Sequence, residues 1–186
     1  KKFAEARAIH RKLVSRPESL NQIIVYNNLA WYSLFDGTTD DQALADAVKS
    51  CELSSFSNQA ELHTLASVCA ELGRTNEAIG YLRKSVKLGG TIRTYDYFIL
   101  GRLAEQYGLL DVARKNYQRA DVSDQGVNST AILARRRMKL LDKKQNEPTS
   151  DKSTNKPCPR NRLRRLIPAS ERQLKPAKIR RLKQLV

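Results

Sequence analysis

The sequence has few of the residue types that metal sites and catalytic centres use. Its 186 residues include two histidines, one tryptophan and three cysteines. Cys51, Cys69 and Cys158 are too few and too far apart for a disulfide framework or a zinc site, so we expect reduced thiols and a cytoplasmic location. A glycine-rich phosphate loop is also missing. We therefore expect no enzyme activity, no metal site and no cofactor in this chain.

Long apolar runs are missing as well. No stretch approaches the roughly 18 apolar residues that a membrane-spanning helix needs, so we expect no transmembrane segment. Residues 1–134 hold 16 Lys+Arg and 15 Asp+Glu, a net charge of +1, whereas residues 135–186 hold 18 and 4, a net charge of +14. The excess positive charge therefore belongs to the C-terminal part of the chain.

What the sequence does contain is a repeat with a period of about 35 residues. Each copy has a large residue, a large–small pair three and four residues later, then a glycine and an alanine. The columns are Tyr26, Leu29, Ala30, Gly37, Ala43; Leu62, Leu65, Ala66, Gly73, Ala78; and Tyr97, Leu100, Gly101, Gly108, Ala113. The first three positions share one face of a helix, which the glycine is suited to end. The alanine then packs a second helix against the first, and Asp40, Thr75 and Asp111 are candidate N-caps for that second helix.

These columns resemble the tetratricopeptide repeat, a helix–turn–helix unit of 34 residues. The copy from Leu62 to Ser85 carries the resemblance best. The resemblance implies an all-α solenoid of helical hairpins over residues 1–142, followed by a basic, largely disordered tail. Its predicted parts are a half-repeat at 3–17, repeats at about 23–57, 59–92 and 94–127, and a capping helix at 128–142. Because the chain opens on a half-repeat, we expect it to be part of something longer.

Two segments carry a narrower resemblance. Asn27–Trp31 and Tyr97–Gly108 are similar to the C-terminal repeats of large bacterial multidomain proteins that have a transglutaminase-like region. This resemblance implies one alternative function, namely that the chain is the C-terminal regulatory part of a larger enzyme.

In the tetratricopeptide family the first helix of each repeat lines a concave face that binds proteins or peptides. Carried over to this sequence, the resemblance implies a set of partner contacts on that face. They are Asn27, Trp31, Leu34, Phe35, His63, Tyr95, Phe98 and Arg102. Trp, Tyr and Arg are enriched at binding hot spots. The alternative for Trp31 and Phe35 is that they cover the preceding half-repeat as core. We expect a non-catalytic scaffold that binds a protein or peptide ligand.

The repeat pattern stops at Lys143. Residues 143–159 have three prolines and no aromatic residue, which is typical of a linker, and residues 160–186 form a basic tail. Six arginines of that tail are candidate nucleic-acid contacts: Arg160, Arg162, Arg164, Arg165, Arg180 and Arg181. Such clusters bind phosphates without reading sequence, or lie on an anionic lipid surface. A second alternative function is therefore a nucleic-acid- or ribosome-associated adaptor; the tail could equally be inert.

Overall fold

The computed structural model describes residues 2–16, 21–120 and 126–146, and the regular structure in that part of the chain is entirely helical. The predicted all-α class is thereby confirmed. The helices are α1 (Lys2–Val14), α2 (Gln22–Asp36), α3 (Asp41–Leu53), α4 (Gln59–Glu71), α5 (Thr75–Gly89), α6 (Asp96–Gln106), α7 (Leu110–Ala120) and α8 (Thr130–Asn146). Residues up to Leu141 form one compact unit, and of the second unit only the end of α8 is described. None of the described helices is long and apolar enough to cross a bilayer.

Consecutive helices pack in pairs: α2 on α3, α4 on α5, and α6 on α7, with α1 on α2. The links within the three later pairs are three or four residues long, which is the length of an antiparallel helical hairpin. The first helices of the pairs also touch one another, since α2 contacts α4 and α4 contacts α6. These three helices form a row, and the pairs are stacked along it.

The glycine columns end the first helices as predicted. The φ angles of Gly37, Gly73 and Gly108 are 77°, 76° and 72°, a left-handed conformation that costs glycine little because it lacks a Cβ. Of the three predicted N-caps of the second helices, only Asp40 caps its helix. Asp40 accepts a hydrogen bond from the Ala43 N–H at 2.9 Å, but α5 starts at Thr75 itself and α7 starts at Leu110, before Asp111.

The small-residue columns mark where paired helices touch. Ala43, Ala78 and Ala113 are all completely buried, as are Ala30 and Ala66 on the partner helices. At the corresponding position of α6, Gly101 lies directly against the ring of Tyr117 from α7. Buried small residues therefore recur at matching positions of the three hairpins, as the sequence columns predicted.

Helix α8 differs from the predicted capping helix in extent and in contacts. It continues to Asn146, four residues into the predicted linker. It also lies across the row of first helices: Arg136 Nη1 donates to the Phe35 carbonyl of α2 at 3.0 Å, and Arg137 pairs with Glu105 of α6. A helix stacked only on the last pair could not reach α2. The rest of the predicted linker, residues 147–159, and the whole tail, 160–186, lie outside the described residues.

Candidate functional site

The eight predicted partner contacts lie on α2, α4 and α6 or, for Tyr95, just before α6, and they fall into two groups. Four of them line an open cleft of about 300 Å³ beside the start of α8: Asn27, Trp31, His63 and Tyr95. We call this the aromatic cleft; Ala60, Thr64 and residues 128–130 complete its walls. The other four are buried, with exposures of 6% for Leu34, 4% for Phe35, 1% for Phe98 and 7% for Arg102.

The buried group shares its surroundings with α8. A second cavity, also of about 300 Å³, separates Leu34 and Phe98 from Leu133, Arg136 and Arg137 of α8. On the α8 side, Ala131 and Ala134 are completely buried and Leu133 is 4% exposed. The half of the predicted binding face around Phe98 is thus occupied by this helix of the same chain.

A cluster of arginines and carboxylates ties α8 to α4 and α6. Arg102 Nε lies 2.7 Å from a Glu71 oxygen, and Arg102 Nη1 lies 3.0 Å from Glu105. Glu105 also accepts hydrogen bonds from the Tyr117 hydroxyl, at 2.8 Å, and from Arg137. Burial raises the pKa of Glu105, but the hydrogen bonds from Arg137 and Tyr117 and the two guanidinium charges outweigh it, so the pKa is lowered.

Phe35 and Trp31 behave differently from each other. The Phe35 ring stacks on Phe3 of α1 with a centroid separation of 4.7 Å, so Phe35 forms core with the leading helix, the alternative that the sequence left open. Trp31 is only half-buried, and its Nε1 donates to the Asn128 carbonyl at 3.0 Å. That bond holds the indole at the mouth of the aromatic cleft, where part of the ring stays accessible.

The floor of the aromatic cleft is a histidine–aspartate pair. His63 Nδ1 lies 3.0 Å from an oxygen of Asp96, and the other Asp96 oxygen accepts the Arg93 backbone N–H at 2.9 Å. Asp96 is fully buried and His63 is 7% exposed. Because a carboxylate only accepts, Nδ1 carries the proton that joins the pair, and in the neutral imidazole Nε2 is then an acceptor. The sequence analysis identified His63 but missed Asp96, although their spacing of 33 residues places them on neighbouring first helices.

The rings of Trp31 and Tyr95 cover this histidine. Their centroids lie 5.7 Å and 4.6 Å from the His63 centroid. Burial and the Asp96 charge raise the pKa of the Tyr95 hydroxyl, with Arg93 partly opposing them, so Tyr95 is a neutral phenol at physiological pH. The cleft therefore has two neutral aromatic walls over a polar floor.

Two buried acceptors in the aromatic cleft have no hydrogen-bond donor. They are Nε2 of His63 and Oδ1 of Asn27. Among the described residues, His63 Nε2 makes no hydrogen bond. The described residues also contain no group of three His, Cys, Asp or Glu side chains placed to hold a metal ion. The chemistry that this arrangement offers is the acceptance of hydrogen bonds.

Comparison of the chain with protein-family models, with curated proteins and with solved structures finds no match.

Proposed function

We propose that the chain is a non-catalytic scaffold with tetratricopeptide-like repeats, and that it binds a protein or peptide through the aromatic cleft. The observation that carries the proposal is the cleft itself: Trp31 and Tyr95 form accessible aromatic walls, and the acceptors of Asn27 and His63 beneath them lack donors. Aromatic anchors over buried polar groups are typical of binding hot spots.

The rest of the proposed concave face supports the same function in a different way. Two arginines of α8 reach the first helices: Arg136 donates to the Phe35 carbonyl of α2, and Arg137 pairs with Glu71 of α4 and Glu105 of α6. This contact within the chain supports a proposed surface that accepts a helix. A partner segment that enters the aromatic cleft would continue the surface that α8 begins, in the manner of helix-in-groove recognition.

Peptide selection tests the proposal with the full chain. A displayed random-peptide library is panned on the wild-type chain, and the affinity of selected peptides is measured by calorimetry. We expect Trp31→Ala to weaken binding by about tenfold or more, since losing a hot-spot side chain costs about 2 kcal/mol. Tyr81→Ala is the matched control, because Tyr81 is a partly exposed aromatic residue on α5 and lies outside the cleft. Peptides that bind Trp31→Ala as well as wild type, or a library that yields no binder, would overturn the proposal.

The charge distribution favours a second candidate function, binding of nucleic acid through residues 135–186. Their net charge of +14, against +1 for the preceding 134 residues, supports a polyanion partner. Binding of a duplex RNA by the full chain should then weaken by about a thousandfold between 50 and 200 mM salt if six or more phosphates are engaged. A chain ending at residue 146 should lose this binding and keep its helicity. Equal RNA binding by that shorter chain would exclude the tail as the binding element.

A further inference from the structure

The aromatic cleft holds two acceptors that need donors. His63 Nε2 and Asn27 Oδ1 are both buried, and neither has a hydrogen-bond partner. A buried acceptor without a donor destabilises the protein, because it has lost its hydrogen bonds to water. A ligand that brings N–H groups to both atoms would recover this free energy. The ligand must therefore carry at least two hydrogen-bond donors.

The charge of the cleft floor selects among such donors. Asp96 is completely buried, and with a neutral imidazole the His63–Asp96 pair carries one negative charge. The faces of Trp31 and Tyr95 attract cations through their ring quadrupoles. The positive charge of Arg93, near Tyr95, would repel a cationic ligand. Its side chain is exposed to water, which screens this repulsion. These features together favour a cationic ligand over a neutral one.

The shape of the cleft selects among cations. A guanidinium is planar, presents five N–H donors, stacks on aromatic rings and is weakly hydrated, whereas an ammonium is compact and strongly hydrated. The cleft volume of about 300 Å³ lies at the small end of ligand pockets. The same row of helices already accepts two arginines of α8, with Arg136 on the carbonyl of Phe35 and Arg137 on the carboxylate of Glu105.

We infer that the aromatic cleft binds the guanidinium of an arginine side chain from the protein or peptide partner. This inference rests on the proposed function and specifies its ligand. The guanidinium lies between the indole of Trp31 and the ring of Tyr95 and donates to Asn27 Oδ1 and His63 Nε2. Because the rings cover the histidine, the indole shifts when the ligand enters.

The indole of Trp31 reports on binding, because it is the one tryptophan in the sequence. Its fluorescence is titrated in the full chain with N-acetyl-arginine N-methylamide and with the citrulline equivalent, which has the same shape but no charge. We expect a saturable change with the arginine compound. The citrulline compound should bind at least about fivefold more weakly, since it lacks the positive charge and two of the five N–H donors.

Asn27→Leu removes one acceptor while keeping the size of the side chain. Since Oδ1 has no partner in the free protein, this change should not lower the melting temperature, yet it should weaken arginine binding by about fivefold or more. Asn76→Leu, on the exposed surface of α5, is the matched control and should bind as wild type does. Equal binding of the arginine and citrulline compounds, unchanged affinity in Asn27→Leu, or the lack of a saturable response would overturn the inference.

The peptide selection separates this inference from the proposed function. Selected peptides that depend on Trp31 but share no arginine would leave the scaffold function standing and remove the arginine site. If the arginine compound binds at Asn27 but the library yields no peptide, the arginine site stands and the peptide-binding function is overturned.

Discussion

Gly101 of α6 and Tyr117 of α7 meet so closely that any side chain at position 101 would overlap the tyrosine ring. Tyr117 is fully buried, and its hydroxyl donates to Glu105 at 2.8 Å. The ring is therefore held on both sides, by the α6 backbone and by a hydrogen bond. This contact joins the packing of the last hairpin to the carboxylate that also receives Arg137 from α8.

The first prediction concerns this contact. Gly101→Ala should lower the free energy of unfolding by about 1–3 kcal/mol, because the new methyl group displaces the Tyr117 ring. Gly80→Ala is the control: Gly80 lies in α5 with open space around it, so alanine there should stabilise the helix by up to about 1 kcal/mol. Urea unfolding followed by circular dichroism measures both. Equal stability of the two variants would show that α6 and α7 are not packed in this register.

The second prediction separates the two groups of predicted partner contacts. Phe98 is 1% exposed and its ring lies 6.2 Å from that of Tyr117, so Phe98→Ala should cost about 3–5 kcal/mol. Trp31 is half-buried and should cost less, about 1–2 kcal/mol, when changed to alanine. Phe98→Leu serves as the milder core variant if the alanine variant does not fold. A larger loss of stability in Trp31→Ala than in Phe98→Ala would reverse this assignment.

The repeat columns predicted much of the fold because they report local packing. Each turn needs a residue that takes positive φ, and each helix pair needs a small residue where the two helices touch. Glycine and alanine therefore recur at the same positions of every copy. Gly37, Gly73 and Gly108 accordingly end their helices in the left-handed conformation. The cap residues were predicted less well, since Arg74 precedes α5 where Thr75 was expected and makes no side-chain cap. A one-residue change in a turn alters the cap without altering the packing columns.

The position of α8 and the residues of the cleft floor could not be predicted from the sequence. The sequence predicted a capping helix at 128–142, but this helix has no second copy that could show which helices it meets. Arg137 of α8 pairs with Glu105, which lies 32 residues earlier. The His63–Asp96 pair was missed for the same reason, since its two residues belong to neighbouring hairpins. Contacts between hairpins follow the stacking geometry, which the sequence pattern within one repeat does not encode.

The third prediction concerns pH. The pKa of Glu105 is lowered in the folded protein, so its interactions stabilise the fold above the ordinary glutamate pKa, and this contribution is lost as the pH falls through the folded value. Arg137→Met should raise the pKa of Glu105 and cost about 1–3 kcal/mol at neutral pH. The difference from wild type should shrink as the pH falls below the ordinary glutamate pKa and Glu105 becomes protonated. Urea midpoints across this range and the ¹³C shift of the Glu105 carboxyl group measure both effects.

The control for the pH prediction is an exposed ion pair. Arg74 and Glu77 lie 2.7 Å apart, with exposed fractions of 42% and 45% for their side chains. Arg74→Met should therefore leave the stability nearly unchanged at any pH, because water screens this pair. A loss in Arg137→Met that stays constant from neutral to acidic pH would mean that Glu105 does not carry the effect.

The last prediction concerns the two cysteines of the helical unit. Cys51 and Cys69 are completely buried, and burial raises the pKa of each thiol to about 12. Since the thiolate is the reactive form, neither should react with a disulfide reagent at about pH 8 while the protein is folded. The test uses Cys158→Ser, so that only these two thiols remain. We expect no rapid release of the reagent's chromophore from the native protein, and two equivalents after addition of denaturant. Rapid reaction of one thiol in the native state would show that α3 or α4 opens to solvent, and the buried contact between the first and second hairpins would then have to be revised.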